Sequence, residues 1–432
     1  MMISRKKIQN AWCMYDWANS VYSLTIVTAI FPSYYNGVMK SIADSEGFLE
    51  LYFFKIEYLA LYSYLLSSAF LFVVILNLIL SGVAQELNKN KFFMKFFCYL
   101  GSLGCIMLFF FDSEHILFGL IGFFLATVGF AGSLPYYNAF LPMIAKAEEQ
   151  DKVSAKGYSL GYVGSVLLLI VSLIFVTNAN QLGITEGFAC RLSFLMVGVW
   201  WFGFSQITFS YLPRDRKSKQ NFSFKMLNAG FKELSLTFKK LSGNKMAKRF
   251  LMAFLFYSIG FQVIMYLSPL FATEELGIET SGLIVVILTI QMVAILGAFL
   301  IAMLSKRIGN MKALLICVLA SMGICVGAYF TRNEFDFNLL AFGVGLLMGG
   351  MQSLSRSSFS KMLTEGKTQS EMFSVYEFVE KTAIVSGSVI YGLCYQLTGS
   401  MRNSILFLLL FFFIAVSIFW LGGLTSKKIK PA

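Results

Sequence analysis

A group of polar side chains lies close to the start of the sequence, inside a stretch that is otherwise apolar. Trp12, Asp16, Asn19, Ser20 and Ser23 recur at the spacing of an α-helix and therefore share one helical face. A carboxylate, an amide and two hydroxyls on one face can hydrogen-bond a polar solute, and the carboxylate can also carry a proton. This face is the first candidate site for chemistry in the chain.

Asp16 is the most costly member of this face if the stretch crosses a membrane. An unpaired carboxylate near the bilayer centre costs roughly 2.5–3.5 kcal/mol on insertion scales. Asp16 must therefore have a partner or be protonated. Two interpretations follow: a gate or proton-coupling residue, or one half of a structural ion pair.

A second group of charges lies near the start of a later apolar stretch. Glu377 and Lys381 are spaced, and ordered, so that they can pair within one helix. That pairing leaves Glu380 for Arg356, which lies in the preceding apolar stretch. The group is either a cluster that holds helices together at the inner rim of the membrane or a salt-bridge gate that breaks during transport.

Polar side chains recur in every third apolar stretch along the chain. Polar groups at membrane depth are expensive unless they face a bundle interior or a water-filled cavity. We therefore expect the first, fourth, seventh and tenth stretches to surround a central cavity. The candidate cavity-lining residues are Asn19, Ser20, Tyr137, Asn138, Gln262, Tyr266 and Gln352.

The elements that must position these residues are apolar helices. Of the 432 residues, 57% are hydrophobic and only 13% are charged, against about 25% charged in soluble domains. This composition excludes a soluble enzyme and indicates an all-α polytopic membrane protein. At about 20 residues per span, the chain accommodates about a dozen helices. The predicted spans are 11–39, 56–81, 92–111, 116–144, 156–177, 189–212, 249–273, 281–304, 312–331, 337–361, 373–398 and 403–424.

The basic residues support this count, because cytoplasmic connections collect Lys and Arg. Most of the 35 lysines and arginines fall in alternate connections when the N-terminus is placed inside. Both termini are then cytoplasmic, and the net charge of +12 requires no nucleic acid. We expect no cleavable signal peptide, because the first apolar stretch is long and rich in polar groups.

The longest connection divides the spans six and six. We predict an N-terminal six-helix bundle at 1–212, a basic cytoplasmic linker at 213–248 and a C-terminal six-helix bundle at 249–432. Within the linker, 222–240 carries apolar residues at helical spacing among lysines. This segment is either a tether between the bundles or a helix that lies on an anionic inner leaflet.

The sequence contains few of the residue patterns that catalytic sites use. Its one histidine, His115, lies in a predicted outer turn, and its seven cysteines lack metal-like or CxxC spacing. No P-loop is present. We expect no enzyme, no catalytic residue, no cofactor and no metal, so transport would be passive or driven by an ion gradient.

One stretch resembles a known family. The segment Tyr15-Asp16-Trp17-Ala18-Asn19-Ser20 is followed by Thr28-Ala-Ile-Phe31-Pro32-Ser-Tyr34-Tyr35, and two further stretches, 154–165 and 352–357, agree with it. These motifs resemble the vacuolar amino-acid effluxer-like branch of the major facilitator superfamily, over essentially the whole chain.

The resemblance implies two six-helix bundles, a solute site near the midplane and alternating access. It implies a small polar solute, such as an amino acid, that is moved outward from a compartment. It also implies that Asp16 is a gate or coupling residue and that Arg356 is a counter-charge. We expect a monomer in the lipid bilayer, in the inner membrane if the source is bacterial, with the solute and protons as partners.

The chain departs from the superfamily in two connections where an aspartate is expected. Gln85 and Lys306 stand at these places. Such aspartates lock the cytoplasmic face in the superfamily, so their loss predicts an altered inner gate. The cluster of Arg356 with Glu377, Glu380 and Lys381 is a candidate substitute. The alternatives to a transporter are a receptor or scaffold that has lost transport, and a membrane-embedded enzyme or lipid-handling protein.

Overall fold

The computed structural model describes residues 4–45, 48–51, 54–215, 239, 241, 243–277, 280–363, 369–398 and 400–424. The chain divides into two compact units. The first contains Met1–Tyr137 and Leu160–Ser223, and the second contains Asn138–Ser159 and Phe224–Ala432. The second unit therefore includes a short segment from the N-terminal half of the sequence. Most of the predicted linker 213–248, with its segment 222–240, lies outside the described residues.

The first unit is built from long helices and one short hairpin. The strands Phe48–Leu51 (β1) and Phe54–Glu57 (β2) pair antiparallel, with Phe48 opposite Glu57. Sequence reasoning placed 48–55 in a plain connection and 56–57 at the start of the second span. The helices are α1 (Arg5–Val21), α2 (Phe31–Ile42), α3 (Tyr58–Glu86), α4 (Asn90–Met107, extended by a 3₁₀ turn at Leu108–Phe110), α5 (Ile116–Ala139), α7 (Ala147–Thr177) and α8 (Glu186–Tyr211).

The first predicted span is three helical segments rather than one. A π-helix, Tyr22–Ile30, joins α1 to α2, and Pro32 lies in the first turn of α2. Within this region, the hydroxyl of Ser23 donates to the Ser20 carbonyl at 3.0 Å and that of Thr28 donates to the Ser23 carbonyl at 2.9 Å. Hydroxyl side chains that bond back to the helix backbone distort it. Widened turns of this kind occur often at functional sites.

The second unit contains the remaining helices. They are the single turn α6 (Leu141–Ile144), the start of α7, α9 (Lys245–Leu276), α10 (Thr280–Ile308), α11 (Asn310–Phe330), α12 (Glu334–Met362), α13 (Gln369–Thr398) and α14 (Met401–Leu421). Helices α10 and α12 pack closely because glycines line their contact. A Cβ atom at Gly349 would overlap the carbonyl oxygen of Ala294, and one at Gly297 would overlap that of Leu346.

Within the described part of the chain, ten helices are long and apolar enough to cross a membrane. They correspond to ten of the predicted spans. The other two predictions, 11–39 and 373–398, fall in helical segments outside these ten. Large apolar side chains such as Leu397 and Phe413 are exposed on the helix surfaces, which suits contact with lipid.

We predict that Gly349→Ala lowers stability by about 1–3 kcal/mol, because the new methyl group forces α10 and α12 apart. The matched control is Gly323→Ala on α11, where a Cβ meets nothing within 4 Å. Thermal unfolding of the purified protein in detergent measures both changes. Equal melting temperatures for the two variants would show that this helix contact is not tight.

Candidate functional site

Asp16 is buried on α1, and its carboxylate accepts a hydrogen bond from a tyrosine. The hydroxyl of Tyr137 donates to its Oδ2 at 2.8 Å. Tyr137 is itself fixed by Trp12, whose indole N–H donates to the Tyr137 carbonyl at 2.9 Å and whose ring stacks on the tyrosine ring at 4.4 Å between centroids. Trp12 therefore fixes the backbone and ring of the tyrosine whose hydroxyl orients the Asp16 carboxylate.

Asn19 and Ser20 lie beside Asp16 on the same helix. The Ser20 hydroxyl donates to Asn19 Oδ1 at 3.4 Å, while Asn19 Nδ2 is buried with no hydrogen-bond acceptor among the described residues. Helix α7 approaches this face closely, because a Cβ atom at Gly161 would lie 2.6 Å from Ser20 Oγ. The polar face that the sequence predicted thus lies at a tight contact between α1 and α7.

A second set of polar groups lies on α13 in the second unit. Lys381 Nζ is 3.8 Å from Glu377 Oε2 and 3.7 Å from Glu380 Oε2. The predicted pairing of Glu377 with Lys381 is therefore confirmed. Asn138 Nδ2 donates to Glu377 Oε1 at 3.1 Å, and Gln262 Nε2 donates to Glu380 Oε1 at 3.2 Å.

Uncharged groups are among the partners of Arg356. Its Nε donates to Ser154 Oγ at 2.9 Å, a second guanidinium nitrogen donates to the Ser154 carbonyl at 3.0 Å, and the guanidinium carbon lies 4.1 Å from the Tyr158 ring centroid. Glu380 contacts Lys381 and Gln262. A backbone carbonyl and an aromatic face thus help to satisfy the guanidinium, and the pairing of Arg356 with Glu380 stays a prediction.

For the other predicted residues, the structure gives the burial or the position on a helix. Gln352 is half-buried on α12, one turn before Arg356. Lys306 is exposed near the end of α10. Tyr266 and Gln85 lie on helical backbone, but their side chains lie outside the described part of the structure.

The structure also shows a buried ionic network that sequence reasoning missed. Lys361 Nζ is 2.6 Å from Asp151 Oδ2, and Asn310 Nδ2 donates to Asp151 Oδ1 at 2.9 Å. Ser305 Oγ donates to Asp151 at 3.4 Å, and Asn310 Nδ2 also reaches Ser358 Oγ at 3.0 Å. The side chains of Asp151 and Lys361 are only 5% and 10% exposed. We call these five residues the Asp151 network.

A sequence signal for this network exists. Asp151, Ser154 and Tyr158 are spaced so that they share one face of α7. In the structure each contacts a residue near the end of α12, namely Lys361 or Arg356. Asp151 lies in the connection between the predicted spans 116–144 and 156–177, so the search for polar residues within the spans did not include it.

Asp215 supplies an acidic cap in the first unit. Its two carboxylate oxygens accept from the backbone N–H groups of Lys91 and Phe92, both at 2.9 Å, at the start of α4. Burial raises the pKa of Asp215, and these two N–H groups oppose that shift. The helix N-terminus thus receives a carboxylate that its own N-cap residue, Lys89, does not provide.

The chain matches a known family from end to end. Residues 4–430 match the family described as vacuole effluxer Atg22 like. The chain belongs to this family. The match agrees with the family resemblance of the YDWANS segment, which lies on α1 among the membrane helices described above.

Two relatives illustrate the Atg22-like assignment. A protein of Bacillus subtilis strain 168, described as the uncharacterized MFS-type transporter YxiO, is 31% identical over 425 residues, which cover 97% of this chain and 95% of the relative. Autophagy-related protein 22 of Saccharomyces cerevisiae S288c is 25% identical over 491 residues, which cover 96% of this chain and 91% of the relative.

Solved structures agree on the fold. FucP in its outward conformation matches with a TM-score of 0.70 at 13% identity, over 98% of this chain and 99% of FucP. The human organic anion transporter MFSD10 matches with a TM-score of 0.72 at 11% identity, over 97% of this chain and all of MFSD10 (100%). This Atg22-like chain is therefore an integral multi-pass transporter with the major facilitator fold, in the cell membrane if it is bacterial.

We predict that Asp151→Asn lowers stability by roughly 3–5 kcal/mol, because it leaves the buried ammonium of Lys361 without its counter-charge. Adding Lys361→Met should recover part of this loss, since no buried charge then remains. The control is Glu148→Gln, an exposed position in the first turn of the same helix. Thermal unfolding of the wild type, Asp151→Asn, Lys361→Met and the double variant forms a double-mutant cycle. Strictly additive losses would show that Asp151 and Lys361 do not interact.

Proposed function

We propose that this Atg22-like protein is a secondary active transporter of a small polar solute and works by alternating access. The observation that carries the proposal is the buried Asp16 carboxylate, which is oriented by Tyr137 beside Asn19 and Ser20. A carboxylate at membrane depth is costly and marks solute or proton pathways. We propose that the gradient of an ion drives transport and that Asp16 couples the two. The proton is the first candidate for this ion.

The proposed substrate is an amino acid that leaves the compartment through the protein. Support comes from the family description as a vacuole effluxer and from the hydrogen-bonding side chains on α1. The proposal includes a monomer with twelve spans, both termini in the cytoplasm and six-helix bundles at 1–212 and 249–432 joined by 213–248. The proposed cavity-lining residues are Asn19, Ser20, Tyr137, Asn138, Gln262, Tyr266 and Gln352.

The gating part of the proposal uses the two charge groups of the second unit. Arg356, Glu377, Glu380 and Lys381 are the gate residues that the sequence suggested. The Asp151 network adds a stronger candidate, because its ion pair is short and buried. It would take the place of the loop aspartates that Gln85 and Lys306 replace.

A flux screen tests the proposed function most simply. Purified protein in proteoliposomes would be given amino acids and other small polar solutes, with and without a pH gradient. We expect saturable uptake of at least one amino acid, and accumulation only when the gradient is present. Solute binding without flux would favour a receptor. Flux that does not depend on the pH gradient would exclude the proton as the coupling ion.

We predict that Asp16→Asn abolishes accumulation driven by a pH gradient but retains solute exchange, because the amide cannot carry the proton. Tyr137→Phe should reduce driven uptake less, since it removes only the hydroxyl that orients Asp16. The control Glu148→Gln removes an equal charge at an exposed position. Unchanged driven uptake by the Asp16→Asn variant would exclude Asp16 as the coupling residue.

A further inference from the structure

Asn138 and Glu377 form a buried pair with unused acceptor atoms. Asn138 Nδ2 donates to Glu377 Oε1 at 3.1 Å, and the two residues are 3% and 5% exposed. The other oxygen of each side chain, Asn138 Oδ1 and Glu377 Oε2, has no hydrogen-bond donor among the residues that the structure describes. Two side chains that are hydrogen-bonded to each other therefore each carry one unfilled acceptor.

Unfilled acceptors are costly in a membrane protein. A buried polar atom without a hydrogen bond destabilises the folded protein, and a charged one does so more strongly. Most buried polar atoms in proteins have partners, so an exception calls for an explanation. A ligand that brings hydrogen-bond donors to this pair would remove the cost, and its binding would gain that free energy.

The nearby cations balance charge without filling these acceptors. Lys381 Nζ lies 3.8 Å from Glu377 Oε2 and 3.7 Å from Glu380 Oε2, beyond normal hydrogen-bond distance. The Arg356 guanidinium donates hydrogen bonds to the hydroxyl and carbonyl oxygens of Ser154. The pair therefore has a positive charge nearby but lacks hydrogen-bond donors.

A more exposed carboxylate, that of Glu380, lies near this pair. The Glu380 side chain is 20% exposed, and it accepts from Gln262, which is half-buried. A partly exposed carboxylate in a membrane helix faces water rather than lipid, because lipid contact is costly. A polar solute can therefore approach Glu377 along the side of Glu380.

We propose that Asn138 and Glu377 bind the protonated amine of the transported solute. An alkylammonium group carries three N–H donors and no acceptor, which suits a pair of neighbouring side chains with one unfilled acceptor each and the Glu380 carboxylate nearby. A hydroxyl offers one donor, and a carboxylate is repelled by Glu377. The inference rests on the proposed transport function and narrows the substrate to solutes that carry a primary ammonium group.

Three probes with one carbon skeleton test this subsite. Isoamylamine carries the ammonium group, isoamyl alcohol is the neutral analogue that controls for partition into detergent, and isovalerate carries a carboxylate. Thermal unfolding of the full-length protein would be followed against the concentration of each probe. We expect concentration-dependent stabilisation by the amine alone.

The variant Glu377→Gln should weaken the apparent affinity for isoamylamine at least tenfold, and the control Glu148→Gln should leave it unchanged. If Glu377→Gln does not fold, Asn138→Ala keeps the carboxylate and should weaken the affinity several-fold. Equal stabilisation by the amine and the alcohol, or an unchanged affinity in a folded variant, would overturn the ammonium subsite.

Counterflow in proteoliposomes separates this inference from the proposed function. Amine binding that depends on Glu377, together with no movement of any solute, would refute transport and leave the subsite standing. Transport of solutes that lack an amine, unaffected by Glu377→Gln, would refute the subsite and leave transport standing. Competition of isoamylamine with a transported amino acid, lost in Glu377→Gln, is the result that supports both.

Discussion

The interior of a membrane offers a charged side chain neither water nor a counter-ion, and the described helices are arranged around that constraint. Each intramembrane charge that the sequence singled out has a specific protein partner. Asp16 is held by the Tyr137 hydroxyl, Arg356 by the carbonyl and hydroxyl of Ser154, and Glu377 by Asn138. A side chain on one helix can hydrogen-bond a group on another only where the two helices lie close together. The polar contacts therefore occur where helices pack tightly.

Local sequence patterns predicted the parts of this arrangement that lie within one helix. The polar face around Asp16 and the pairing of Glu377 with Lys381 follow from helical periodicity. The partner of Asp16 is 121 residues away and that of Asp151 is 210 residues away. No periodicity encodes these contacts, because they depend on which helices become neighbours and on their rotation.

Uncharged partners are contacts that a search for counter-charges overlooks. That search considered only Glu380 for Arg356, and the structure adds a backbone carbonyl and an aromatic ring as partners of the guanidinium. Backbone carbonyls are present at every residue and so leave no mark in a sequence. The π-helix after α1 was missed for a similar reason, since its hydroxyl-to-backbone bonds use residues that fit a normal helix equally well.

The central claim is that a polar cavity is exposed alternately to the two sides of the membrane, and the accessibility of one position tests it directly. Gln352→Cys would be introduced into a variant without the native cysteines and reconstituted with known orientation. A membrane-impermeant thiol reagent would then be added to either side. The account predicts reaction from both sides, with a transported solute shifting the balance of rates between them. Reaction from only one side under every condition would contradict it.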